Sequence, residues 1–180
     1  MINQPQDILD FWEEAGPKKW FAKDAEFDAT IATRFKDTHE LAAQGGYDDW
    51  ADDPDGALAL IIVLDQFSRN LFRKSPAAFT QDEKCLRVTH KVIDEGLDKK
   101  MREDLRVFAY MPLMHSERLE DQELCIEKLQ EIGADENINY AKEHRDIIAK
   151  FGRFPHRNVA LGRDTTEEER EFLDEGGFAG

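Results

Sequence analysis

Every position from Ala57 to Leu64 is apolar, in a chain whose other segments alternate apolar and charged faces. On a helical wheel such a run has no polar side, which marks a helix sunk in a core. Asp53 is a good N-cap and Pro54 suits the first helical position, so this helix is predicted to open there and continue to Arg73. Its second half changes character. Leu60, Leu64, Phe67 and Leu71 keep one apolar arc, whereas Asp65, Gln66, Arg69, Asn70 and Arg73 share the opposite one. Asp65 and Arg69 stand one turn apart and can pair directly. A helix that begins buried and then turns a dense polar face aside predicts a polar pocket beside the core.

The flanking segments read as helices too. Asp7 to Glu14 is amphipathic, carries Ile8, Leu9, Phe11 and Trp12, and stops at Gly16-Pro17. Asp24 caps a long helix to Ala43, with Phe27, Ile31 and Phe35 inward, and Gly45-Gly46 ends it. Tyr47 to Trp50 is a linking loop with an aromatic anchor. After the central helix, Lys74-Ser75-Pro76 makes a break, because proline disfavours helical geometry in the residue before it. Thr80 and Glu83 predict a capping box for a helix ending at Gly96. Leu105 to Met111 is a further segment, broken near Pro112. Leu119 to Ile132 and Ile138 to Phe151 follow, each stopped by glycine. The last helix starts at Thr165-Thr166, with a Glu three residues beyond each, and ends at Gly176-Gly177.

No window shows strand alternation bounded by hairpin turns. The pattern predicts an all-α fold, a single-domain multi-helix bundle over residues 1–180 with about seven to nine helices. No tetratricopeptide repeat consensus can be aligned, although an α-α superhelix is compatible with the spacing.

Composition narrows the partners. A formal net charge of −15 and a pI near 4.7 argue against nucleic acid and against anionic membrane surfaces. Met1 to Pro5 lacks the basic, apolar start of a signal peptide. The Ala57–Leu64 run falls well short of the roughly twenty apolar residues that span a bilayer. The expected location is cytoplasmic. Cys85 and Cys125 form no CxxC pair and fit a reducing compartment. A homodimer is compatible with exposed apolar helix faces. No metal site is expected, since HExxH and Glu-x-x-His pairs are missing. The chain has no Walker loop, GxGxxG or GxSxG, and no cofactor is expected.

Two segments echo one another, Phe67-Ser68-Arg69-Asn70 and Phe154-Pro155-His156-Arg157-Asn158. Both lie in stretches free of Asp and Glu, Gln66 to Gln81 and Lys150 to Arg163, where positive charge is left locally uncompensated. These residues, with Ile8-Leu9-Asp10-Phe11-Trp12, Trp20-Phe21, Leu58 to Ile62, Leu64-Asp65-Gln66 and His115-Ser116-Glu117, give the chain a resemblance to the bacterial domain of unknown function 924 family. The resemblance runs from the first helix to the last loop. It departs at Ser68, where the family often has proline. It implies a helical, tetratricopeptide-like fold and supplies no activity or catalytic residues.

The candidate site therefore rests on chemistry. Asp65, Gln66, Arg69, Asn70 and Arg73 are its first half. Around them the expected partners are His115, Ser116 and Glu117, His144 and Arg145, and Arg153, His156, Arg157 and Asn158. Arginine forks suit carboxylate or phosphate, and asparagine adds neutral donors, so the expected ligand is an anionic small molecule or peptide. The leading reading is a binding module. One alternative is a hydrolase- or transferase-type enzyme with His115 or His156 as acid/base and Glu117 as a further candidate. The other is a structural or interaction protein whose polar network only orders the fold.

Overall fold

In the computed structural model, which describes residues 3–178, all regular structure is helical and no strand occurs among the described residues. Met1 and Ile2, read above for a leader, lie outside them. No helix among the described residues is long and apolar enough to cross a membrane. Contacts divide the chain into two compact units, Met1–Arg73 with Ala77–Pro112, and Lys74–Pro76 with Leu113–Gly180.

In the first unit, α1 (Pro5–Ala15) and the single turn α2 (Pro17–Trp20) precede α3 (Ala25–Ala43). Asp24 caps α3 as expected, its carboxylate accepting from Glu26 N and Phe27 N. The linking loop is a 3-10 turn, Asp48–Asp52, which delivers the chain to α4 (Pro54–Ile61). Asp53 caps α4 by accepting from Gly56 N. The predicted single helix to Arg73 is not continuous. Ile62–Phe67 winds as π-helix, α5 (Ser68–Leu71) follows, and the helix stops two residues early at Phe72. Lys74 then takes a left-handed φ of 61° in the expected break.

The helix α6 (Asp82–Asp94) starts after a 3-10 turn at Pro76–Phe79, with Gln81 as its N-cap. The N-cap falls one residue beyond the expected Thr80, because that turn leaves Gln81 in helical geometry ahead of the helix. Leu105 to Met111 belongs to a 3-10 stretch, Glu103–Tyr110. Pro112 sits inside the short α7 (Met111–Met114) instead of breaking a helix; in a first turn its missing N–H has no intrahelical use.

The core of this unit is aromatic. Trp12 is fully buried and meets Phe67 at 5.7 Å, Phe108 at 5.4 Å and Phe27 at 5.9 Å between ring centroids. Phe21, just after α2, has 60% of its surface exposed. α4 packs against α1 and α6, and α3 lies along the π turn and α5. Gly56 lets α4 start this close to the preceding turn, since a Cβ there would stand 2.5 Å from Trp50 O and 2.6 Å from the capping Asp53 Oδ2. Gly56→Ala should therefore destabilise by about 1–3 kcal/mol despite its better helix propensity, checked by urea denaturation. A neutral or stabilising result would mean that the turn yields freely.

The second unit contains α8 (Leu119–Glu131), α9 (Asp135–Phe151), α10 (Asn158–Leu161) and α11 (Glu167–Asp174). α8 and α9 pack together across a short turn, and α11 packs on the 3-10 turn Pro155–Arg157. Ile147, Ile148 and Phe154 form a core with Phe151, Phe172 and Phe178 against it. Here the predicted box is present: Thr166 accepts from Glu169 N while Glu169 accepts from Thr166 N.

Candidate functional site

The first arginine–asparagine motif begins on the last residue of the π turn and continues into α5. A π turn changes the pitch, so the polar arc does not follow an α wheel, and such turns are often found at functional sites. Asp65 is fully buried and Gln66 nearly so, while Arg73 is exposed. Asp65 Oδ2 accepts from Gln66 Nε2 at 2.6 Å, and its Oδ1 accepts from Arg69 Nη1 at 3.0 Å. Arg69 also donates both terminal nitrogens to Asp82, at 3.0 and 3.2 Å. Two carboxylates therefore hold one guanidinium. Burial opposes its charge, but Asp65 and Asp82 outweigh this and raise the Arg69 pKa. Burial, reinforced by the same carboxylates, pushes the neighbouring Cys85 thiol well above its ordinary range, so it is no nucleophile. Asn70 Nδ2 donates to Asp28 at 2.7 Å, and Arg73 pairs with the same carboxylate.

The second motif lies in the second unit and is held by different acids. Arg153 donates to both Glu169 oxygens, at 2.6 and 2.9 Å, and to Asp164 O at 2.7 Å. Asn158 Nδ2 donates to Glu169 at 3.0 Å. Glu117 is doubly bonded by Arg163 and also accepts from Phe154 N at 2.8 Å. Burial would raise the Glu117 pKa, yet Arg163 and the Phe154 N–H bring it below the usual range. Arg157 donates to His115 O at 2.9 Å, and its guanidinium lies 4.6 Å from the Phe154 ring centroid.

The histidines named from the sequence are spread through this unit. His144 Nδ1 bonds Tyr140 O at 2.7 Å, within its own helix. The His156 ring packs on Phe154 and Phe178. Ser116 donates to Asp121 at 2.6 Å and accepts from Arg118 N at the start of α8. Arg145 pairs with its exposed neighbour Asp146. Each motif is thus brought together with carboxylates of its own unit. Among the described residues, no group of three His, Cys, Asp or Glu could hold a metal ion.

The sequence gives no partner pattern for His39, yet in the first unit it is buried with its Nε2 2.7 Å from Ser68 Oγ. Ser68 Oγ in turn donates to Leu64 O at 2.6 Å. Beside this pair a cleft of about 390 Å³ opens, lined by His39, Glu40, Gln44, Phe72 and Gln81 among others. A second, smaller cleft of about 210 Å³ runs along α6 between Lys84 and Lys91. Lys84 is bonded to Ala42 O and Asp48, and Lys91 to Ala51 O, Asp52 and Glu95.

A model of a bacterial protein family of unknown function, DUF924, matches residues 8–177. A solved structure of a protein of unknown function from Agrobacterium tumefaciens, ATU0120, superimposes with a TM-score of 0.91 at 44% identity, covering 96% of this chain and 97% of that one. None of the curated proteins matches the chain.

Proposed function

Since the chain belongs to the bacterial protein family of unknown function DUF924, no activity comes with its membership, and we propose from its own geometry that it is a helical binding module. The observation that carries this is the cleft of about 390 Å³ beside His39, which falls within the range of about 300–1,000 Å³ common to small-molecule sites. The arginine motifs act in support. Arg69, Arg73, Arg153 and Arg163 are each engaged by a carboxylate, so an incoming anion has to displace a built-in one. Their role in this reading is to order helix ends and loops, with the ligand held elsewhere.

The enzyme reading, with His115 or His156 as acid/base and Glu117 beside them, finds less support. The Glu117 carboxylate is held by Arg163 and by the Phe154 N–H, and the His156 ring packs against Phe154 and Phe178.

A thermal-shift screen with amines, carboxylates, phosphates and short peptides tests the proposal. A ligand at a hundred times its dissociation constant adds about 2.7 kcal/mol to stability. The expected outcome is a shift from one class that persists in Arg69→Gln and Arg153→Gln proteins after allowing for their lower baseline. A shift from an anion that either substitution abolishes would return the site to the arginine motifs. No shift from any class would remove the binding reading.

A further inference from the structure

The proton arrangement at His39 selects a ligand. A carbonyl oxygen cannot donate, so the 2.6 Å contact between Ser68 Oγ and Leu64 O uses the serine proton. The 2.7 Å contact between Ser68 Oγ and His39 Nε2 then requires a proton on Nε2. In the neutral ring, Nδ1 is left as a bare acceptor. Burial lowers the His39 pKa and keeps the ring neutral, against a smaller opposite pull from Glu40. No protein group bonds Nδ1, although the residue is only 4% exposed. Leaving a buried acceptor unsatisfied is costly, so a donor supplied from outside is favoured.

The surroundings favour a positively charged donor. Glu40 is the one carboxylate lining the cleft, and Lys36 stands 3.9 Å from it between two half-exposed side chains. The cleft abuts the last turn of α3, whose carbonyl end attracts cations and which carries no basic side chain of its own. Lys84 reaches that end from α6 by donating to Ala42 O. Phe72 meets the imidazole at 5.4 Å and offers an aromatic face to a cation.

Resting on the binding reading above, we infer that this cleft takes a small organic cation bearing N–H groups, an alkylammonium or guanidinium. One N–H donates to His39 Nδ1 and the charge faces Glu40; because Nδ1 is itself buried, binding requires a side chain of the cleft wall, such as the adjacent Phe72, to give way.

Imidazole nitrogen NMR of the full-length protein reads this directly. The free protein should show His39 as the Nε2–H tautomer. Titration with butylammonium should move the Nδ1 signal saturably, while butanol and butyrate should leave it in place. Glu40→Gln changes an exposed residue and should weaken butylammonium about two- to fivefold. His39→Phe should weaken it about tenfold or more. Equal response to butanol, no response to butylammonium, or a proton on Nδ1 in the free protein would each overturn the inference. If another compound class shifts the melting temperature while butylammonium does not, this inference falls and the binding module stands. If no class does, both fall.

Discussion

A Glu169→Gln protein is expected to lose about 2–4 kcal/mol of stability, and to lose it only where the carboxylate is ionised. Glu169 is 2% exposed and accepts from Arg153, Asn158 and Thr166 N. Breaking a buried pair costs about 3–5 kcal/mol because it strands the remaining charge, and partial exposure of Arg153 reduces that figure. The Arg153 hydrogen bond, aided by the Thr166 N–H and opposed by burial, holds Glu169 down to about 2 from an ordinary 4.5. A carboxylate depressed in the folded state stabilises above its unfolded pKa, and that stability drains away as pH falls through the folded one. The gap between wild type and variant should therefore be full above pH 4.5 and close toward pH 2. Urea denaturation followed by circular dichroism across that range measures it. A gap that does not change with pH would mean that ionisation of Glu169 is not what holds Arg153.

The second large effect belongs to Asp65. An Asp65→Ala protein should lose about 3–5 kcal/mol, against about 1–2 kcal/mol for Asp82→Ala. Both carboxylates bind Arg69, but the Asp65 side chain is 1% exposed and that of Asp82 21%. Removing Asp65 also leaves the buried Gln66 amide without its 2.6 Å acceptor. The double variant should be more destabilised than the sum of the singles, because either acid alone still compensates Arg69 and only the loss of both strands its charge. Equal losses, or a loss at Asp65 below 1 kcal/mol, would show that the π turn does not depend on this charge.

What the sequence revealed depended on how far apart the interacting residues lie. Asp24, Asp53 and Thr166 cap helices within a few residues of themselves, and all three were readable. The cap of α6 was not, because the preceding 3-10 turn makes Gln81 and not Thr80 the N-cap. The π turn left no mark, since its first half lies in the all-apolar run and its second half, with Asp65 and Gln66, is too short to show a change of pitch. Apart from Arg69, which has Asp65 one turn away, the arginines of these stretches looked uncompensated because their acids lie elsewhere in the chain. Arg73 is served from 45 residues away, Arg163 from 46 and Arg153 from 16. His39 and Ser68, 29 residues apart, are a pairing that only the fold creates. The family resemblance ran from Ile8 to Asn158, and the family model spans residues 8–177.

The aromatic core also decides what light can report. Trp12, Trp20 and Trp50 are the only tryptophans in the chain, and all belong to the first unit. Intrinsic fluorescence excited at the indole band therefore watches the Trp12–Phe67–Phe108 cluster and is blind to the α8–α9 pair. Dichroism weighs both units by their helix. The two signals recorded on one sample act as separate gauges, one for the half that carries His39 and one for the whole chain.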